Sequence, residues 1–476
     1  MNRDVGQLRR EQLGTADLTA STVANIGPGI DFYFAFGAIA VTAGIAAPLT
    51  IIAAGIAVAF LAFTVAEFTK VEPSAGSFIT YVETSLGPVG GVAVAWLVAI
   101  GYSVAIAGVF AMSGGMLTMT LAHYTSWDPS WLPWALGLTI GAVFLAARGI
   151  RLSTGAIAIA VLLQVMVMVA VCCVVLVDER SSLSLSPFSG AHLTGGLRGL
   201  SAGFPLALYM FIGWENGPAL AEECRNPRRA VPKALFISVT IAGVLFVLFA
   251  YSTITGFHYD VSSIGRSSVP FLSVADNYLG GAAVLAWLAG IVSVLATLMA
   301  GVNSQSRMLY DGGRSRLLPS WLGSVRAHVG TPVNALVTMC AAGLGIVVIW
   351  WLSHVVGGTY GSTDPVGLYA EASTMGTIVI LFVYLLTTIA LPVFMWRHHR
   401  DSFSTLRHLA VPLLGALTLV IPFVELFKPG QPAPYRVFPY IAVGILGAVT
   451  LLAWITVRRN PTAGSGEGRA LAGPSG

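Results

Sequence analysis

The apolar residues of this chain are gathered into long runs, separated by shorter stretches where charged and small polar residues concentrate. A helix needs about 20 predominantly apolar residues to cross the hydrocarbon core of a bilayer. The runs predict twelve such spans, near residues 22–45, 48–67, 88–121, 131–147, 152–177, 200–222, 232–256, 280–307, 333–352, 366–395, 408–427 and 436–457. The third, eighth and tenth are long enough to lie tilted. Residues 68–87 mix apolar and charged positions and are too polar to cross. From Pro461 onward, Gly, Ala, Ser and Pro dominate, which reads as a flexible tail. The pattern predicts an all-α integral membrane protein.

Composition agrees, and charge adds a direction. Of 476 residues, 56% are hydrophobic and 10% charged, where a soluble chain carries roughly 25% charged. Mean hydropathy is +0.80. With the N-terminus placed inside, Arg180, Arg198, Arg266, Lys428 and Arg436 fall in outer segments, and the remaining 20 of the 25 Lys and Arg residues fall in inner ones. That asymmetry is the positive-inside pattern, so both termini are expected in the cytoplasm of a multi-pass cell-membrane protein. The N-terminal MNRDVGQLRREQLG is basic, but no short apolar core with an Ala-x-Ala site follows it, and it is not read as a signal peptide. Cys172, Cys173, Cys224 and Cys340 show no paired spacing, which argues against a disulfide framework and a metal site alike.

Two spans are interrupted where a helix should be continuous. The first contains Asn25-Ile26-Gly27-Pro28-Gly29-Ile30-Asp31, in which proline removes a backbone donor between two glycines. A simple proline kink is the plainer reading. Asp31 favours a functional one, because a carboxylate near midplane costs about 2.5–3.5 kcal/mol on insertion scales. It is expected to face an aqueous cavity or to bond a neighbouring helix. The sixth span repeats the theme in Tyr209-Met210-Phe211-Ile212-Gly213-Trp214-Glu215-Asn216-Gly217-Pro218. The interruptions stand five spans apart, as two inverted repeats at 22–177 and 200–395 would place them. Residues 408–457 then form two added helices, between the N-terminal segment 1–21 and the tail 458–476. Exposed helix N-termini suit a carboxylate, and the two acids suit an ammonium or a proton, so the pair matches a zwitterion.

At these residues the chain resembles amino acid permeases of the amino acid–polyamine–organocation (APC) superfamily, across essentially all twelve spans. Gly27-Pro28-Gly29-Ile30 is similar to the family's Gly-Ser-Gly-Ile break. Glu67, Pro73, Ala75-Gly76 and Tyr81 match its loop after the second span. Ala221-Glu222-Glu223 and Asn226 through Pro232 are similar to its stretch after the sixth break, and Asn303 through Arg307 with Leu317-Leu318-Pro319 to the end of its eighth span. The resemblance implies the five-plus-five inverted repeat of the leucine-transporter fold, two extra helices, and alternating access. It places substrate carboxylate on backbone of Gly27, Pro28 and Gly29, flanked by Ile26, Ile30 and Asp31, and substrate amine on Phe211, Ile212 and Gly213. Tyr209 and Trp214 fall at aromatic gates, and Glu215 on an acid used in gating and proton movement. Residues 68–87 would lie as short amphipathic helices at the inner face.

Departures from the family pattern bear on coupling. Gln164 stands where proton-coupled relatives often carry Lys, and Asp31 where Phe is common; Pro28 removes one N–H from the carboxylate cradle. The usual Arg-Asp-Gly after span eight is Arg314-Ser315-Arg316, with Asp311 upstream. Ser293 and Thr297 offer hydroxyls to sodium, although in membrane helices such groups more often bond a carbonyl one turn back. Tyr102 and Trp287 read as packing aromatics, and Trp127, Trp131 and Trp134 as an interface belt. No phosphate loop or nucleophile–base arrangement points to an enzyme, and no cofactor, metal or nucleic acid is expected. The sequence thus reads as a secondary active transporter of an amino acid, a symporter with protons rather than sodium. Amine or polyamine transport, and exchange or export, are the alternatives.

Overall fold

The computed structural model describes Leu8 and residues 11–326, 330–357 and 364–459; of the expected tail, everything from residue 460 lies outside the described residues. The architecture is helical. The first expected span is two helices, α1 (Thr15–Ile26) and α2 (Pro28–Ala43), and the second is α3 (Ala47–Val71). After α4 (Phe78–Leu86) come α5 (Pro88–Tyr124), α6 (Trp131–Ala147) and α7 (Ile150–Asp178). The sixth span is split into α8 (Leu197–Tyr209) and the short α9 (Asn216–Ala219). There follow α10 (Pro227–Gly256), α11 (Val261–Arg266), α12 (Pro270–Leu279), α13 (Val284–Arg314), α14 (Val333–Gly357), α15 (Pro365–His398), α16 (Val411–Leu426) and α17 (Phe438–Arg459).

Among the described residues, nine helical stretches are long and apolar enough to cross a membrane. The first, Thr15–Val71, takes in α1, α2 and α3 together. α6 is apolar but has only 17 residues. Large side chains pointing outward are apolar: Ile140 and Phe144 on α6, Ile159 on α7, Ile349 on α14 and Leu417 on α16. Asp31, Glu215, Glu223, Arg307 and Asp311 are buried instead. Apolar surface around a polar interior is the distribution a bilayer favours, since hydrocarbon neither repels the one nor solvates the other.

Glycine sets how closely α5 and α15 approach. A Cβ on Gly376 of α15 would stand 2.7 Å from Gly101 O of α5, and one on Gly108 of α5 would stand 3.1 Å from Tyr369 Cα. α5 and α15 therefore meet backbone to backbone, as small residues allow in membranes. Of the polar stretch 68–87, residues 78–86 form α4, which buries Phe78, Ile79, Tyr81 and Val82. Tyr81 stacks on Phe68, with centroids 4.6 Å apart.

The end of the bundle where the chain begins is held by paired charges. Arg307 bonds Glu223, both side chains being fully buried, and donates to Asn303 O at 2.6 Å. Arg314 pairs with Glu222 at 2.6 Å and also with Asp311, to which Thr80 donates at 3.1 Å. The displaced Asp311 thus still finds its arginine. Gln12 and Leu13 donate backbone N–H groups to Glu223 O at 2.9 and 3.1 Å, and Arg225 N returns a bond to Leu13 O.

Candidate substrate site

The first interruption is a single residue. Gly27, at φ +68° and ψ 58°, ends α1 and starts α2. That left-handed conformation favours glycine, and a Cβ would stand 2.8 Å from side-chain atoms of Ile30 and Thr297. Pro28 occupies the first position of α2, where its missing N–H would have had no helical partner anyway. The amides that follow are already engaged: Gly29 N and Ile30 N donate to Ser293 Oγ at 3.2 and 3.0 Å. Thr297 donates to Ala24 O across the break at 2.8 Å. Ser293 and Thr297 thus clamp α13 to the break. Beside them is Gln164, buried, with neither amide atom hydrogen-bonded among the described residues.

The second interruption, residues 210–215, is a run of turns between α8 and α9. Gly213 has φ +102°, and its Cβ would collide with Asn25 backbone, 2.5 Å from the carbonyl carbon. Asn25 Nδ2 donates to Gly213 O at 3.2 Å. The two breaks therefore touch. Glu215 folds back so that Oε2 accepts from Gly213 N at 3.0 Å, while Oε1 accepts from the Tyr102 hydroxyl.

Asp31 lies one turn beyond the first break. Tyr369 donates to its Oδ1, and Tyr209 donates to the Tyr369 hydroxyl at 2.7 Å while lying 3.4 Å from the same carboxylate oxygen. Tyr369, on α15, packs on Gly108 of α5, six residues along that helix from Tyr102, so α5 carries the tyrosine that holds Glu215 and backs the one that holds Asp31. Between them is a cavity with about 60 Å³ of free volume. It is lined by Asn25, Asp31, Tyr102, Tyr209, Ile212 and Gly213 around the breaks, and by one face each of α5, α13 and α15.

Of the residues singled out in the sequence, Asp31, Tyr209, Ile212, Gly213 and Thr297 line this cavity. Ile26, Gly27, Pro28, Gly29 and Ile30 are buried in the wall that meets α13, outside the lining. Phe211 packs edge-on against Phe246 at 5.2 Å. Trp214 is buried between Tyr384 and Phe78, with centroids at 5.5 and 6.4 Å. Glu215 is buried behind Tyr102. Sequence reasoning missed Gln305, Tyr369, Ser373 and Thr377, and took Tyr102 for packing. A signal existed on α15, where Tyr369, Ser373 and Thr377 recur every fourth residue and so share a helix face.

The chain matches the family model described as amino acid permease over residues 13–449. It is similar to the uncharacterized amino acid permease YecA of Bacillus subtilis, at 26% identity over 59% of this chain and 64% of that one. Similarity to the branched-chain amino acid permease BcaP of the same organism extends over 92% of both chains at 23% identity. The low-affinity putrescine importer PlaP of Escherichia coli is 26% identical over 61% of this chain and 64% of its own length.

Proposed function

Because the chain belongs to the amino acid permease family, and is a transporter and not an enzyme, we propose that it moves an amino acid across the cytoplasmic membrane by alternating access, coupled to protons. In this reading twelve spans form two inverted five-helix repeats and two further helices, with both termini in the cytoplasm. The observation that carries it is the cavity where the two interrupted helices touch, lined by the buried Asp31 and by Tyr102, which bonds the buried Glu215. Cavities at such crossings are where repeats rock against one another. Ile26 through Ile30 and Phe211 through Gly213 supply the backbone around the substrate, and Tyr209 and Trp214 the aromatic closure. Asp31 and Glu215 are the proton carriers on offer, since each is buried with tyrosine hydroxyls and has no basic partner among its hydrogen bonds. The resemblance to a putrescine importer supports amine transport as the second reading.

Uptake by proteoliposomes tests this, using labelled amino acids and diamines under an inward proton or sodium gradient. Proton-driven accumulation of an amino acid supports the main reading. Accumulation of diamines alone selects the second. Counterflow that no gradient drives makes the protein an exchanger.

A further inference from the structure

Resting on the transporter reading, we infer that Asp31 is the binding point for an ammonium group on the substrate, so that the cavity selects molecules carrying a cationic amine on a side chain or far end. Other buried acids of this chain have basic partners: Glu67 lies against Lys70 and His408, and Glu425 against Lys428. Glu223 is neutralised by Arg307, and Asp311 by Arg314. Glu215 takes a backbone N–H and a hydroxyl, which fill both of its oxygens. Asp31 differs from each of these. Only tyrosine hydroxyls approach its Oδ1, and Oδ2 accepts no hydrogen bond from the described residues. Its side chain lines the cavity, and no Lys, Arg or His does so.

A carboxylate removed from water without a countercharge is costly, and the cost falls when a cation arrives. Every other polar group on the cavity wall is a neutral hydroxyl or amide: Asn25, Tyr102, Tyr209, Thr297, Gln305, Ser373 and Thr377. Gln305 Oε1 accepts no hydrogen bond from the described residues and is a second vacant acceptor. The wall thus offers acceptors and no cationic donor. The two helix amides suited to an anion are capped by Ser293. Both facts favour a cationic over an anionic group at this end. The rings of Tyr209 and Tyr369, 6.2 Å apart and edge to face, add π density beside the carboxylate. With Asp31 given to the substrate, Glu215 is left as the proton carrier.

The test measures a selectivity ratio in proteoliposomes: uptake of lysine, ornithine or putrescine relative to leucine. Wild type is expected to prefer the ammonium-bearing compounds. Asp31→Asn keeps the size and the acceptor for Tyr369 but loses the charge. Charge-assisted hydrogen bonds are stronger than neutral ones by an amount that should lower the ratio by about 10- to 100-fold. Asp31→Glu should retain the preference. Should the Asn variant be inactive, ligand-induced thermal stabilisation of the purified protein reads the same ratio without turnover. Wild type carrying leucine in preference to every amine overturns the inference while leaving the transporter reading intact. An unchanged ratio in Asp31→Asn also overturns it. Uptake of nothing in the panel, in either direction, counts against the transporter reading itself. Lysine and ornithine taken without putrescine identify a cationic amino acid; putrescine alone identifies a diamine.

Discussion

The buried pair Arg307–Glu223 gives a sharp test of what holds the N-terminal end of the bundle. Both side chains have no exposure, and the guanidinium is bonded through two nitrogens to the carboxylate and through a third to Asn303 O. Glu223→Gln leaves a full positive charge in that site with no countercharge. Removing one partner of a buried pair typically costs about 3–5 kcal/mol, whereas replacing both with apolar residues of similar volume is often neutral or stabilising. Arg307→Met alone should therefore be as damaging as Glu223→Gln. Arg307→Met with Glu223→Leu should recover most of the loss, less roughly 1–3 kcal/mol for the Asn303 carbonyl left without its donor. Unfolding of the purified proteins in detergent by denaturant, analysed as a double-mutant cycle, measures the coupling. Hydrogen exchange at Gln12 and Leu13, whose amides bond Glu223 O, should accelerate in the single variants. Single variants that unfold like wild type, or a double variant as unstable as the sum of the singles, would refute the reasoning.

Gly213→Ala forces a Cβ into Asn25 backbone at an unfavourable φ, so it should destabilise by roughly 2–6 kcal/mol from strain and overpacking together. Gly217→Ala meets nothing closer than 3.5 Å and serves as the control; equal melting temperatures would sink the argument. Ser293→Ala strips the cap from Gly29 and Ile30 amides and should cost about 1–3 kcal/mol, read by thermal unfolding. At the far end of α7, hydroxyls of Ser182 and Tyr278 hold Glu179 below the ordinary carboxylate range. A depressed acid stabilises above its unfolded pKa and loses that contribution as pH falls through its folded value. Acid titration of thermal stability should therefore be shallower in Glu179→Gln below about pH 4, and identical slopes would remove the effect.

The helices were legible because a bilayer demands long apolar runs, and the break at Gly27-Pro28 because proline and glycine act locally. The first helix begins at Thr15 rather than near residue 22, since a helix can continue past the apolar run into polar turns, of which Ala16 and Asp17 are exposed. Partners were harder to read. Tyr369 meets Asp31 across 338 residues and Ser293 meets Ile30 across 263, and periodicity gives a side chain's face without naming what stands opposite. That is why the sequence points the Ser293 hydroxyl to a carbonyl of its own helix, when it accepts from amides of α2. Trp214 follows the same logic: its position beside a broken helix is visible in sequence, but its burial against Tyr384 depends on the packing of α15.

The short backbone ladder between Gln12–Leu13 and Glu223–Arg225 shares a residue with the Arg307 ion pair. Glu223 therefore serves two attachments at once, its carbonyl gripping the first segment of the chain and its carboxylate gripping α13. Parting α1 from α13 at this end cannot proceed one bond at a time, because displacing Glu223 loosens both. The two attachments are therefore won or lost together, and the stability of this end should depend steeply on either.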